Sequence, residues 1–91
     1  MTSDRVPPRQ LASIVAAIIR RERKRCGMTR LELAERLECT ENAVFVAESG
    51  CASPSLPLLF DMLWIMDCPQ SVFLEITEAD ARLRSRKEQA A

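Results

Sequence analysis

Residues 28 to 50, MTRLELAERLECTENAVFVAESG, contain two helix-start signals so close together that only two short helices and a tight turn fit between Met28 and Gly50. Thr29 and Glu32 form a capping box, in which the hydroxyl accepts from the backbone three residues on and the carboxylate reaches back to the cap. Leu33, Ala34 and Leu37 then fall on the inner face of the first helix. Thr40 caps the second helix, which turns Val44 and Ala47 inward. It stops at Gly50, a residue suited to the left-handed conformation that ends helices. The second helix carries no positive charge.

The flanking segments read as helices of the same bundle. Leu11, Ile14, Val15, Ile18 and Ile19 recur at i, i+3, i+4, i+7 and i+8, the one-sided stripe of a core helix, and its end is dense in charge: Arg20, Arg21, Arg23, Lys24 and Arg25. Past the motif, Ser55 caps a helix from about Leu56 to Met66, with Pro57 tolerated in its first turn. Leu59, Met62, Leu63 and Met66 are its expected inner face. A short fifth helix is expected at about residues 70–75. From Thr77 the tail turns acidic and then basic, the order that favours a helix's own dipole, so a further frayed helix is expected there.

Ninety-one residues with 47% apolar content close one core, and only two Gly and five Pro leave little room for long loops. The domain reading is therefore a loose arm over residues 1–8, ended by Pro7 and Pro8, one helical domain over 9–76, and a charged tail over 77–91. No apolar run is long enough to cross a membrane and no signal-peptide pattern opens the chain, so a cytoplasmic protein is expected. Cys26, Cys39, Cys51 and Cys68 form no C-x-x-C pair and the chain has no His, which makes a zinc site improbable. Cys51, just past the second helix, reads as exposed. Without His, a recognisable carboxylate pair or a Gly-rich phosphate loop, no enzymatic constellation is present, and no cofactor or metal is expected.

Over roughly residues 9 to 74 the chain resembles the Cro and phage-repressor (XRE) family of helix-turn-helix DNA-binding domains. The matching residues are Ile19, Arg20, Arg23, Gly27, Met28, Thr29, Leu33, Ala34, Cys39, Thr40, Glu48, Gly50, Pro54 and Ser55. The resemblance implies an all-α, five-helix, lambda-repressor-like bundle whose second motif helix reads base edges. It implies that Glu38 stands where the family's turn has Gly, at a cost of about 1 kcal/mol. It also implies that Arg23 and Glu48 pair inside the domain.

Carried over position by position, the family's roles give Arg30 a phosphate and give Glu41, Asn42, Phe45 and Val46 the bases. Asn42 suits adenine, Glu41 suits cytosine N4, and Phe45 or Val46 suits a thymine methyl. Ser53, with backbone N–H groups, would anchor phosphate after the helix, and Arg20, Arg21, Lys24 and Arg25 would supply further backbone contacts. The charge map complicates this. Net charge is zero, but residues 1–36 carry +5, residues 37–81 hold eight acids and no base, and residues 82–91 carry +3. DNA affinity rests largely on cations, and the recognition half supplies none. Two functions are therefore in play: a sequence-specific, promoter-binding transcriptional regulator, or the same fold turned to protein recognition through Phe45 and Val46. Phe60, Trp64 and Ile65 occupy positions that the family often leaves polar, which suggests a homodimer interface on double-stranded operator DNA with half-sites about 34 Å apart.

Overall fold

The caps set the element boundaries in the computed structural model, which describes residues 8–90 and the side chains of residues 10–85. The helices are α1 (Pro8–Arg25), α2 (Arg30–Leu37), α3 (Glu41–Ser49), α4 (Leu56–Ile65) and α5 (Gln70–Ala90). They form an all-α, five-helix bundle, as the residue pattern predicts. The arm expected over residues 1–8 lies outside the described residues except for Pro8, which opens α1.

At the start of α2 both halves of the capping box are present: Glu32 N–H donates to Thr29 Oγ1 at 3.1 Å and Thr29 N–H donates to Glu32 Oε1 at 3.2 Å. Thr40 Oγ1 accepts from Ala43 N–H at 3.1 Å to start α3, and Ser55 Oγ accepts from Leu58 N–H at 3.3 Å to start α4. Three helices end in one way. Residues 27, 38 and 67 take positive φ, and the next N–H reaches back five residues: Met28 to Arg23 O, Cys39 to Ala34 O and Cys68 to Leu63 O. Gly27 adopts this conformation without strain. Glu38 (φ 56°) and Asp67 (φ 52°) do so with a Cβ in place. The Asp67 turn has no glycine to announce it in the sequence.

Ile19, Leu33, Val44, Met62, Leu63 and Met66 are fully buried, so each of α1 to α4 contributes to one core. The predicted inner face of α4 is the observed one: Leu59, Met62, Leu63 and Met66 are all buried. Gly50 closes α3 at φ 79°, and a Cβ there would stand 3.3 Å from the Ser13 backbone, so conformation and close approach both favour glycine. That contact seats the end of α3 against the first half of α1.

α5 differs from expectation. In place of a short helix at 70–75 and a separate frayed tail, one helix of 21 residues runs through Thr77. Val72, Ile76, Ala79 and Leu83 continue one stripe at i, i+4, i+7 and i+11, and no breaker interrupts it. Val72 and Ala79 are buried, and Ile76 and Leu83 are half-buried. The stripe lies antiparallel along α1, with Ala79 beside Ile14 and Ile18 and Leu83 beside Ile14.

Candidate nucleic-acid interface

The outer face of α3 follows directly from its inner one. With Val44, Ala47 and Glu48 buried, helical phase turns Glu41, Asn42, Phe45 and Val46 to solvent, and all four are exposed. Phe45 is 51% exposed and Val46 41%, an apolar pair on an otherwise polar turn. Glu41, in the first turn, complements the positive end of the helix dipole. Ser53 is exposed in the segment that follows the helix.

Beneath this face lies a buried ion pair. Glu48, only 4% exposed, accepts from Arg23 Nε at 2.6 Å and from Arg23 Nη2 at 2.9 Å, the fork geometry of a bidentate pair. Arg23 Nη1 donates to Met28 O at 2.8 Å, so one guanidinium ties α1 both to the end of α3 and to the approach to α2. The hydrogen bond to Glu48, set against burial, raises the Arg23 pKa further above its already high value. The expected internal pair is therefore present, and it fixes the pose of α3.

Arg30 brings positive charge to the face from outside α3. It opens α2, yet its guanidinium carbon lies 5.2 Å from the centre of the Phe45 ring, within cation–π range. Its Nε makes a longer, 3.4 Å contact with Glu48 Oε1. Glu48 thus holds two arginines, Arg23 from below and Arg30 from the rim. Sequence reasoning placed Arg30 and Phe45 on the same surface but not in contact; the spacing of fifteen residues across a turn gives no local signal of it.

The four cations at the end of α1 divide by helical phase. Arg20 and Lys24 are exposed and make no ion pair among the described residues. They share a strip of α1 with Ser13, which meets Gly50 at the end of α3. Arg21 and Arg25 are engaged elsewhere, contrary to the expectation that they serve the same face. Arg21 makes two hydrogen bonds to Glu75 of α5, at 2.7 and 2.8 Å, and a third to Glu22 at 2.9 Å. Arg25 donates to Glu22 Oε1 and to Met66 O, each at 2.8 Å.

Glu22 is the centre of that second cluster and is itself buried. Burial pushes its carboxyl pKa up, but hydrogen bonds from Arg25 and Arg21 outweigh burial and hold it below the ordinary value. Hydrogen bonds from Arg21 likewise lower Glu75. Cys68, whose thiol donates to Glu22 at 3.6 Å, is pushed up to about 11 by burial and by the neighbouring carboxylate, so it stays a thiol. The sequence hides this cluster because Glu22 sits in a run of arginines that reads as a solvated face.

On α4, Trp64 is 78% exposed and Phe60 43%, with Leu56 completing a strip at i, i+4 and i+8. The Phe60 ring meets Phe73 of α5 at 5.7 Å, and Gln70 and Cys68 complete a shallow groove beside Trp64. Ile65 does not join this patch. It is half-buried and packs against the core. Among the described residues no group of three or more His, Cys, Asp or Glu side chains is placed to hold a metal ion, and no helix is long and apolar enough to cross a membrane. No protein-family model, curated protein or solved structure matches this chain.

Proposed function

We propose that this chain is a sequence-specific DNA-binding transcriptional regulator of the XRE type, acting at a promoter as a homodimer. The observation that carries the proposal is the Arg23–Glu48 bridge from α1 to α3, which holds α3 beside α2 with Glu41, Asn42, Phe45 and Val46 on its free face and Arg30 at the rim. A helix held this way suits the major groove, where Asn42 addresses adenine and the apolar pair meets thymine methyls. Arg20 and Lys24, with backbone N–H groups and Ser53 after α3, supply the phosphate contacts in this reading. The dimer forms through Phe60 and Trp64, and occupancy of the promoter blocks or recruits polymerase. Such a regulator works in the cytoplasm and needs no cofactor.

A fluorescence-anisotropy titration of the full chain against the promoter upstream of its own gene tests this. Binding should weaken as salt rises, with a slope of about 0.9 in log K per phosphate neutralised. Asn42→Ala should cost about 1 to 3 kcal/mol and relax base preference. No binding at low salt would reject the reading.

One observation favours a second reading. Because Arg21 and Arg25 are engaged by Glu22 and Glu75, the cations available to phosphate are fewer than the sequence suggests. Phe45 and Val46 would then form a patch for a partner protein, as in an anti-activator or anti-repressor. Phe45→Arg separates the two: it abolishes a protein complex but leaves or strengthens non-specific DNA binding.

A further inference from the structure

Arg30 is held in a way that a simple phosphate contact does not require. Its guanidinium carbon lies over the Phe45 ring, 5.2 Å from the ring centre, and its Nε is drawn to Glu48 Oε1 at 3.4 Å. The two terminal nitrogens, Nη1 and Nη2, have no partner among the described residues. Glu48 cannot follow Arg30 outward, because it is buried and anchored through two hydrogen bonds to Arg23. The guanidinium is therefore held at Nε by Glu48, placed over the Phe45 ring, and left with its two-pronged end available.

A phosphate accepts from a cation at many angles, so a loose lysine serves it as well as an arginine. Guanine in the major groove is more demanding, because O6 and N7 lie in one plane and match two parallel N–H donors. Holding the guanidinium in place before contact reduces the rotamer freedom lost on contact. The ring beneath it has a second use. Phe45 is half-exposed on the face of α3, and an exposed ring edge packs well against the 5-methyl group of a neighbouring pyrimidine.

We propose that Arg30, placed over the Phe45 ring and held by Glu48, reads the O6 and N7 edge of a guanine next to a 5-methylated pyrimidine. Arg30 is then a specificity-determining residue. Phe45 has two tasks, orienting Arg30 and contacting the methyl group. This rests on the DNA-binding reading above and adds to it a base step that the other face residues do not specify.

The test is selection of binding sites from randomised duplex DNA by the full chain, repeated with Arg30→Lys, Arg30→Gln and Phe45→Leu. Each variant is first checked for a native helical spectrum and melting transition. The wild type should select a guanine beside a thymine in each half-site. Arg30→Lys, which keeps the charge, and Arg30→Gln should both lose that guanine preference, with affinity for the selected site falling about 5- to 150-fold. Phe45→Leu should blunt the preference at the same step. On the wild-type site, replacing the thymine with uracil should weaken binding, and replacing it with 5-methylcytosine, with guanine as its pairing partner, should restore part of it. If Arg30→Lys retains both affinity and consensus, Arg30 is a phosphate contact and the proposal fails while the DNA-binding function stands. If the wild type selects no sequence, that function fails and this inference falls with it.

Discussion

At the scale of single residues, the molecule is organised around two buried carboxylates, Glu48 and Glu22, each shared by two arginines. Glu48 lies beneath the exposed face of α3. Removing it strands Arg23 in a site where it is 8% exposed, so Glu48→Ala should lower stability by about 3 to 5 kcal/mol in urea denaturation. A midpoint shift well under 1 kcal/mol would mean that water reaches Arg23 and that the bridge does not hold α3. Glu22 serves the opposite side, where α1 meets α5 and the end of α4. Its carboxyl is held below 4.5 in the folded chain, so it adds stability above its unfolded value and that stability is lost as pH falls through the folded value. The wild type should therefore lose stability on acidification below about pH 4.5 more steeply than Glu22→Gln, as read from melting temperatures across that range. Parallel curves for the two proteins would remove Glu22 from the acid response.

The elements themselves were legible in the sequence wherever a short-range rule governs them. Thr29 with Glu32, Thr40 and Ser55 announce three helix starts through hydrogen bonds made within a few residues, Gly50 announces the end of α3 through its left-handed conformation, and the stripes of α1 and α4 announce which faces are buried. What stayed hidden depends on partners far along the chain. The length of α5 is one case, because its second half is held by Ile14 and Ile18 more than sixty residues away. The pairing of Arg21 with Glu75 is another, and with it the division of the α1 cations into engaged and available sets. The cation–π contact of Arg30 with Phe45 is the third, and it matters most for the candidate site. The turn between α2 and α3 offers a direct check on local strain. Glu38 sits at φ 56° and ψ 40°, where a Cβ is unfavourable. Glu38→Gly should raise stability by about 1 kcal/mol in chemical denaturation while leaving the α3 face unchanged. A loss of stability would show that the extra freedom of glycine in the unfolded chain outweighs the relief of strain.

At the scale of the whole molecule, most cations and most acids lie on different elements. Cations cluster on α1, on α2 and again on α5 from Arg82 onward, and the eight acids and no bases of residues 37–81 fall on the turn after α2, on α3, on α4 and its closing turn, and on the first half of α5. The aromatic strip of Phe60 and Trp64 lies within that acidic half, with Asp61 and Asp67 close in sequence. Two copies meeting through this strip bury a large aromatic surface but bring like charges toward each other. Association through it should therefore tighten with added salt, because screening removes the repulsion and leaves the hydrophobic contact intact. DNA binding has the opposite dependence, since counterion release weakens it as salt rises. Sedimentation equilibrium across a salt series isolates the first effect: the wild type should dimerise more strongly at high salt, and Trp64→Glu should be monomeric throughout while melting near the wild-type temperature, because a side chain 78% exposed contributes little to its own core. A wild type that is monomeric at every salt, or a Trp64→Glu variant that dimerises as the wild type does, would move the dimer interface off α4.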